Sequence, residues 1–306
     1  MIYVKSPASC ANMGPAFDCV GMALQLYNEI WVETSNELEI STSDGLDIPL
    51  DNTNLVYRSI QQFYELTGTK KDFYGVRIKQ KSSIPVARGL GSSAACIVGG
   101  VLIANQLSCL KLSKDELLPI ATKIEGHVDN VAPSLLGGIV AGTIDSDVGH
   151  RYVTYVKLDG QPLIDKGIKF AAIVPRHKSQ TDEMRNILPQ FYSREDMIFN
   201  ISRTALLVAA LATADIPKLK TAMEDRVHQP YRGKLIRSFS RIMEILVQND
   251  ATGAFLSGAG PTIFVLYRDV ALKQDIENEL KSLPDYWSFM DLELDTIGAT
   301  INVYNP

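Results

Sequence analysis

The sequence predicts an α+β protein of two domains. The chain has 306 residues, and because a globular domain holds roughly 100–200 residues, about two domains are expected. Stretches of strand periodicity are mixed with stretches of helical periodicity, without the regular strand–helix alternation of a doubly wound protein. A boundary near residue 165 divides the chain into a first domain, 1–165, and a second domain, 166–306.

Composition and charge exclude several classes of protein. Lys and Arg number 30 and Asp and Glu 35, for a net charge of −5, whereas a nucleic-acid-binding protein usually carries a basic stripe. No apolar run reaches the roughly 18 residues of a transmembrane helix, and the N-terminus lacks a signal-peptide pattern. The four cysteines form no C-x-x-C pair. We expect a cytoplasmic protein without a nucleic-acid or membrane partner, a disulfide framework or a zinc site.

Periodicity and capping residues predict the elements of the first half. Alternating polar and apolar residues indicate strands over 24–33 and 76–80. Apolar faces that repeat every three to four residues indicate helices over 54–67, 92–107 and 113–125. Asn54 caps the first of these helices and Gly68 ends it. Ser113 and Glu116 form a capping box for the third.

The second half reads in the same way. Short apolar runs indicate strands over 169–174, 254–256 and 262–266. Helical stretches follow over 193–211, from 215 onward, and over 271–282. Pro175 closes the first of the strands, and Ser193 opens the longest helix. Strands and helices are therefore predicted in both halves.

The most informative stretch is the phosphate loop, PVARGLGSSAA, residues 85–95. Its glycines permit positive φ and close approach of a ligand, and the helix that follows offers unpaired N–H groups to an anion. A plain strand-to-helix turn is the alternative. The loop is not a Walker A sequence. Gly89, Gly91 and Ala94 match the short dinucleotide-binding string, but no acidic residue stands about 20 positions on, so a nicotinamide dehydrogenase is the lesser interpretation.

The phosphate loop resembles that of the GHMP kinases, P-x-x-x-G-L-G-S-S-A-A. Three further blocks resemble the same family in order and spacing: PASCANMGPAFDCVG at 7–21, EGHVDNVAP at 125–133 and GAFLSGAGPT at 253–262. The resemblance implies a two-domain α+β kinase, with an N-terminal domain like ribosomal protein S5 and a ferredoxin-like C-terminal domain. It also implies ATP as the phosphoryl donor, Mg²⁺ as its partner ion, and a site between the domains.

Two of these blocks, 7–21 and 125–133, resemble most closely the branch of the family that phosphorylates L-homoserine. The implied product is O-phospho-L-homoserine, on the route to threonine, and a homodimer is common in the family. Two alternatives stay open. One is another small-molecule kinase of this family, for mevalonate or a sugar. The other is a catalytically silent member that binds nucleotide only.

The resemblance assigns the phosphate loop to ATP, with backbone N–H groups facing the phosphates. Ser93 and Glu125 are expected to hold Mg²⁺, a hard ion that prefers oxygen ligands. Taken alone, Glu125 would be a solvated charge at a helix end. Asn54 resembles an adenine-side contact of the family, in addition to its role as helix cap. The loop residues assigned to ATP are Pro85, Val86, Ala87, Arg88, Gly89, Leu90, Gly91, Ser92, Ser93, Ala94 and Ala95.

Five residues are assigned to L-homoserine by the same resemblance. Asp18 suits the ammonium group by charge, and Asn12 can donate to and accept from the hydroxyl. Without the motif, both would be interpreted as turn residues. Arg185 and Arg232 match family positions and suit the carboxylate, because a guanidinium binds it bidentately. His127 is expected as a further substrate contact.

The catalytic base is the least determined part of the site. Related kinases use an aspartate to accept the alcohol proton, and Asp129 falls at about that place. Alternatively, Asn130 or Asn12 only orients the hydroxyl, since a loose, metaphosphate-like transition state asks little of a base. We therefore expect Asp129→Asn to impair turnover without abolishing it. His228 matches a second motif but has no assigned chemical role, and we expect it to pack between helices.

Overall fold

A computed structural model of the chain describes residues 1–45, 47–69, 75–147, 150–177 and 181–304. The strands in these residues are β1 (Ile2–Ala11), β2 (Val20–Thr34), β3 (Glu39–Thr42), β4 (Val76–Ser82), β5 (Ile139–Asp147), β6 (His150–Leu158), β7 (Lys169–Pro175), β8 (Gly253–Leu256), β9 (Ile263–Tyr267), β10 (Trp287–Leu292) and β11 (Thr300–Val303). The α-helices are α1 (Leu55–Thr67), α2 (Ser92–Ser108), α3 (Lys114–Glu125), α4 (Val128–Leu136), α5 (Gln161–Asp165), α6 (Thr181–Asn186), α7 (Arg194–Thr213), α8 (Ile216–Ala222), α9 (Gln229–Arg232), α10 (Phe239–Gln248) and α11 (Val270–Leu280).

The first sheet is formed mostly by the N-terminal half of the chain. Its strands follow the order β11-β1-β2-β4-β3, and β5 pairs with both β2 and β6. All pairs are antiparallel except β3 with β4. Buried apolar residues of β1, β2 and β4 pack with those of α1 to α4. Because β11 pairs with β1, residues 300–303 of the predicted second domain complete the sheet of the first.

The second sheet is antiparallel, with strand order β10-β7-β9-β8. Helices lie between β7 and β8 and between β9 and β10, which is the βαββαβ succession of a ferredoxin-like unit. Helices α10 and α11 cover this sheet with a core of their own. The predicted boundary at 165 falls between β6, a strand of the first sheet, and β7, a strand of the second. The division into domains at that residue stays a prediction.

A third apolar core lies between the two sheets. It contains Met22 and Leu24 of β2 together with Phe170 of β7 and Phe264 of β9, all buried. Burial of apolar surface contributes about 25 cal/mol per Å², so a shared core of this kind joins the two halves firmly. Leu90 and Ala95, which the resemblance assigned to ATP, belong to this core, as does Met13 next to Asn12.

The predicted caps are confirmed. Asn54 accepts a hydrogen bond from the Val56 N–H at 3.0 Å, and Gly68 ends α1 with φ 64°. Ser113 and Glu116 form the expected capping box of α3. Neither α4 nor α10 is predicted from periodicity. A proline lies inside α4, and the residue before α10, Ser238, makes no capping bond with its side chain. Pro133 in the sequence argues against helix α4, and Ser238 is a capping residue type whose side chain does not cap α10 in the structure.

Helix α7 corrects the expectation that no segment is apolar and long enough to cross a membrane. By length and composition alone, its 20 residues qualify. Within the protein, however, Leu207 and Leu211 of α7 belong to the core between the sheets. Arg203, near its middle, pairs with Glu224 at 2.8 Å. These contacts fit a helix packed against the protein, and the absence of a membrane partner stays a prediction.

Candidate active site

The phosphate loop turns sharply into α2. Gly89 and Gly91 have φ of 77° and 67°, and Gly91 precedes α2 without a side-chain cap. A Cβ at Gly91 would lie 2.1 Å from the Ser9 Oγ, so the position needs glycine for both its backbone angle and its space. The first N–H groups of α2 have no partner within the helix by its geometry. The local structure expected of a phosphate-binding loop is therefore present.

Residues of the second half hold the phosphate loop in place. Ser257 Oγ donates to the Gly89 carbonyl at 2.6 Å. The Arg88 guanidinium donates to three carbonyls, those of Val86, Pro175 and Arg176. Although the resemblance assigned Arg88 to ATP, Nε, Nη1 and Nη2 of this side chain all bind main-chain oxygens here. Arg88 therefore ties the loop to the end of β7.

Two oxygen-bearing side chains meet beside the start of α2. Ser93 Oγ donates to Glu125 Oε2 at 2.8 Å, and the nearer imidazole nitrogen of His127 lies 3.7 Å from Glu125 Oε1. Burial raises the pKa of Glu125, and the charge of His127 and the bond from Ser93 oppose this only in part. A hard divalent cation would supply the missing compensation, because it prefers oxygen ligands. Ser93 and Glu125 thus fit Mg²⁺.

Asp129 connects the α3–α4 junction to the N-terminal strand. Its Oδ1 lies 2.8 Å from His127 Nδ1, and its Oδ2 accepts the Asn12 N–H at 3.2 Å. Asn130, the next residue, accepts a bond from Ser9 Oγ at 3.0 Å. Burial lowers the pKa of His127, but the hydrogen bond and charge of Asp129, together with the charges of Glu125 and Asp18, raise it above its usual value. Both carboxylate oxygens of Asp129 are occupied, which suits a residue that positions its neighbours.

Asp18, His127 and Asp129 bring possible metal-ligand atoms within 4.8 Å of one another. Asp129 already uses both oxygens, and Asp18 is paired with Arg185. The pair of Ser93 and Glu125 therefore remains the better candidate for a cation.

The substrate loop, Asn12–Asp18, joins β1 to β2 in a tight turn. Asn12 and Asp18 have φ of 70° and 53°. Asn12 Oδ1 accepts the Asp18 N–H at 2.9 Å, and its Nδ2 donates to the Gly258 carbonyl at 2.8 Å. Asn12 and Asp18 form the turn that their residue types favour. They also line a cavity shared with the phosphate loop, which is described below. The two interpretations of these residues are thus compatible.

The two arginines differ in their partners. Arg185, half-buried in α6, forms two hydrogen bonds with Asp18, at 2.9 and 3.1 Å. Arg232, at the end of α9, is 1% exposed and donates to the carbonyls of Met184 and Gly258. Burial and the charge of Arg185 lower the pKa of Arg232 to about 10. Among the described residues no carboxylate lies within ion-pair distance of Arg232, so this buried cation is suited to an anionic ligand.

One cavity brings together most of the predicted site residues. It is lined by Asn12, Asp18, Ala87, Arg88, Gly89, Gly91, Ser92, Ser93, Glu125, His127, Asp129, Asn130, Arg185, Arg232, Gly258 and Ala259. The side chains of Leu90, Ala94 and Ala95 are buried, the Ala95 N–H donates to the Gly91 carbonyl at 3.0 Å, and none of the three lines this cavity. Pro85 and Val86 do not line this cavity.

Asn54 lies outside the cavity, although the resemblance assigned it to the adenine side. Its side chain is 2% exposed. Its Oδ1 caps α1, and its Nδ2 donates to Gln80 Oε1 and the Pro49 carbonyl. A direct bond to adenine would have to replace one of these.

Gly258 and Ala259 are functional-site residues that the residue-by-residue assignments missed. They lie in the loop between β8 and β9, inside the quoted block 253–262. The Gly258 carbonyl accepts from both Asn12 and Arg232. Because the acceptor is a main-chain oxygen, the type of residue at position 258 does not indicate that it binds Asn12 and Arg232. The only signal was the glycine-rich block itself.

Comparison with known proteins gives matches over almost the whole chain. The family described as GHMP kinases N terminal domain matches residues 54–138, and the one described as GHMP kinases C terminal matches 207–285. The homoserine kinase of Clostridium botulinum is 40% identical over 304 residues, covering 99% of each chain. That of Caldicellulosiruptor bescii is 42% identical over 307 residues, covering 98% of this chain and 97% of the relative.

A solved structure extends the agreement to three dimensions. The homoserine kinase from Cytophaga hutchinsonii superposes with a TM-score of 0.83 at 28% identity, covering 98% of this chain and 97% of that one. The predicted α+β kinase fold is confirmed by these matches. The chain therefore belongs to the GHMP kinase family, in the branch that contains the homoserine kinases.

Proposed function

We propose that the protein transfers the terminal phosphoryl group of ATP to the hydroxyl of L-homoserine, giving O-phospho-L-homoserine and ADP in threonine biosynthesis. The observation that carries this is a single cavity in which a phosphate loop adjoins the charges that an amino acid requires. Relatives named homoserine kinase, about 40% identical over the full chain, support the choice of substrate. A cytoplasmic location and the absence of nucleic-acid or membrane partners belong to the same proposal.

The charges around the substrate loop match a zwitterion. Without a ligand, Asp18 and Arg185 neutralise each other. A bound amino acid would place its ammonium group on Asp18 and its carboxylate between Arg185 and Arg232, so each charge keeps a partner. Mevalonate has a carboxylate but no ammonium group, and a sugar has neither. The three charged side chains therefore favour an amino acid over the substrates of the alternative kinases.

The transfer requires positioning and charge neutralisation more than covalent chemistry. The hydroxyl oxygen of the substrate attacks the γ-phosphorus, the bond from phosphorus to the β–γ bridging oxygen breaks, and the hydroxyl proton leaves to solvent. Ser93 and Glu125 would hold Mg²⁺, which neutralises phosphate charge when bound. Backbone N–H groups of Ser92 and Ser93 would bind phosphate oxygens. Asn12 would orient the hydroxyl with the Nδ2 hydrogen that is not donated to Gly258, while Asp129 holds His127 and the Asn12 N–H.

The proposal is tested by ADP release with Mg·ATP and a panel of alcohols: L-homoserine, L-threonine, L-serine, mevalonate and galactose. We expect strong turnover with L-homoserine alone, and loss of that turnover when EDTA removes the divalent ion. Turnover with mevalonate or galactose would contradict the amino-acid site while keeping the kinase. Nucleotide binding without turnover of any alcohol would indicate a silent member of the family.

A further inference from the structure

One buried imidazole lies between the two halves of the substrate site and has no role in the proposed reaction. His228, immediately before α9, is fully buried. Its Nε2 lies 2.7 Å from the Gly14 carbonyl oxygen, in the middle of the substrate loop. Its Nδ1 lies 3.4 Å from Nη1 of Arg232, one turn further along α9. The imidazole is thus in contact with both the loop and the arginine.

The neighbours of His228 determine where its proton resides. A guanidinium only donates hydrogen bonds, so Nδ1 must accept from Arg232. A carbonyl oxygen only accepts, so Nε2 must carry the hydrogen toward Gly14. Burial, together with the charge of Arg232, lowers the pKa of His228, and the Asp225 carboxylate, 3.6 Å from Nε2, opposes this only in part. One neutral tautomer, with hydrogen on Nε2, satisfies both neighbours.

The structure around His228 holds the substrate loop from the same side. Asp225 accepts the backbone N–H groups of Val227, His228 and Gln229, which orders the turn that carries the imidazole. The neighbouring carbonyl of the loop, that of Pro15, accepts from Asn200 and Thr204 of α7.

The ring of Phe17, also in the loop, packs against both His228 and Arg232. The ring centroids of Phe17 and His228 are 5.5 Å apart, and the Arg232 guanidinium carbon lies 5.1 Å from the Phe17 ring. The loop and the arginine are therefore packed on each other as well as hydrogen-bonded through the imidazole.

We propose that His228 is a positioning residue that sets the substrate loop and Arg232 in register for the substrate carboxylate and ammonium groups. Its Nε2–H holds the loop that carries Asn12 and Asp18, and its Nδ1 directs the Arg232 guanidinium. The inference rests on the proposed function, since it assigns this register to the binding of an amino acid. His228 does not itself touch substrate, so its effect should fall on substrate binding rather than on ATP.

Three substitutions separate the two contacts. His228→Asn keeps an acceptor near the Nδ1 position, His228→Gln keeps a donor near the Nε2 position, and His228→Leu removes both. We expect His228→Leu to raise the KM for L-homoserine about tenfold while the KM for ATP changes less than about twofold. The Asn and Gln variants should each recover part of this loss. A common decrease in kcat with unchanged KM values would overturn the proposal.

A substrate analogue distinguishes positioning from a loss of general stability. 3-Amino-1-propanol is L-homoserine without its carboxylate, so it cannot use Arg232. In His228→Leu, the preference for L-homoserine over this analogue should fall about threefold, because the part of the loss that arises from the substrate loop affects both alcohols. Equal losses with both alcohols would overturn the proposal. In an Arg232→Ala background, His228→Leu should raise the KM for L-homoserine only about threefold instead of tenfold, because the part of its effect that acts through Arg232 is already lost. If His228→Leu raised the KM as much in the Arg232→Ala background as in the unaltered protein, the coupling of His228 to Arg232 would be refuted.

Spectroscopy tests the same contacts without turnover. With ¹⁵N-labelled histidine, the imidazole signals of His228, assigned by their loss in His228→Gln, should report a neutral ring with hydrogen on Nε2. Its Nδ1 signal should shift in Arg232→Ala. A protonated ring, hydrogen on Nδ1, or no shift would overturn the inference even if L-homoserine is turned over. Conversely, no turnover of L-homoserine by the unaltered protein would refute the proposed function. The spectra would still show which nitrogen of His228 carries the hydrogen and whether Arg232 affects it.

Discussion

The part of the cavity proposed to bind ATP, called the ATP side, and the part proposed to bind L-homoserine, called the substrate side, are constructed in different ways. The ATP side comes mainly from one continuous segment, residues 85–95, which offers backbone N–H groups at the start of α2. The substrate side is assembled from side chains of Asn12, Asp18, Arg185 and Arg232, which come from three distant parts of the chain. A main-chain site depends on local geometry, whereas a site of charged side chains depends on the packing of the whole fold.

The two sides also differ in how their charges are compensated before a ligand arrives. At the ATP side, burial raises the pKa of Glu125, because its negative charge is only partly balanced by its neighbours. A bound cation would balance the rest of that charge. At the substrate side, Asp18 and Arg185 are already paired, while the partners of the buried Arg232 within the described part of the chain are neutral. A bound amino acid would replace the pair of Asp18 and Arg185 with pairs to its own ammonium and carboxylate groups, and would also give Arg232 an anionic partner. This arrangement favours a zwitterion over a singly charged ligand. Four substitutions test this contrast.

The largest effect is expected at Glu125. Glu125→Ala should lower kcat by about 10³, because it removes a carboxylate that would hold Mg²⁺ where charge develops in the transition state. The exposed Glu65 of α1 gives a matched control, and Glu65→Ala should leave kcat within about twofold. Steady-state kinetics with varied Mg²⁺ measures both. A decrease in kcat of tenfold or less would contradict the assignment of Glu125 as a ligand of Mg²⁺.

Arg232→Ala should sharpen the contrast by affecting one side only. We expect the KM for L-homoserine to rise about 100-fold, because a charge-assisted, bidentate bond to the carboxylate is lost. The KM for ATP should change less than about twofold. Arg241→Ala is the control, since Arg241 is an exposed residue of α10 that pairs with Glu244. Equal increases in both KM values would show that Arg232 supports the fold rather than the substrate.

Asp129→Asn tests whether a base is needed. Asparagine keeps the size of the side chain and one acceptor oxygen, so part of the contact with His127 and Asn12 survives. We expect kcat to fall about tenfold, the effect of weakened positioning. Comparison of kcat with that of Glu125→Ala under the same conditions provides the measurement. A loss as deep as that of Glu125→Ala would identify Asp129 as the proton acceptor instead.

The smallest effect is expected in the backbone of the phosphate loop. Gly91 and Gly68 both have positive φ, but a Cβ at Gly91 would also meet Ser9, whereas no atom of the described residues lies within 4 Å of one at Gly68. Each Gly→Ala substitution should cost about 1 kcal/mol of unfolding free energy in urea for the backbone angle, and Gly91→Ala should cost more because its Cβ meets Ser9. Only Gly91→Ala should also raise the KM for ATP, by about fivefold. An unchanged KM for ATP would mean that the loop does not bind phosphate.

The sequence predicted the parts of the molecule that depend on near neighbours in the chain. The caps of α1 and α3 and the turn into α2 are confirmed, because each involves residues within four positions of one another. Helix α4 was not predicted, since Pro133 normally interrupts a helix and only burial of the whole segment favours one here. The site residues themselves were identified through the family resemblance rather than through periodicity.

By itself, therefore, the sequence determined the phosphate loop, the helix caps and the α+β class, because these follow from local backbone conformation and hydrophobic pattern. Only the tertiary structure decided that Arg88 ties the phosphate loop to β7 and that Asn54 is occupied away from the cavity. It alone decided that His228 lies between Gly14 and Arg232. The partners of a polar side chain are chosen by which segments the packed cores bring together, and residues 214 positions apart, such as Gly14 and His228, become neighbours only when the fold is complete.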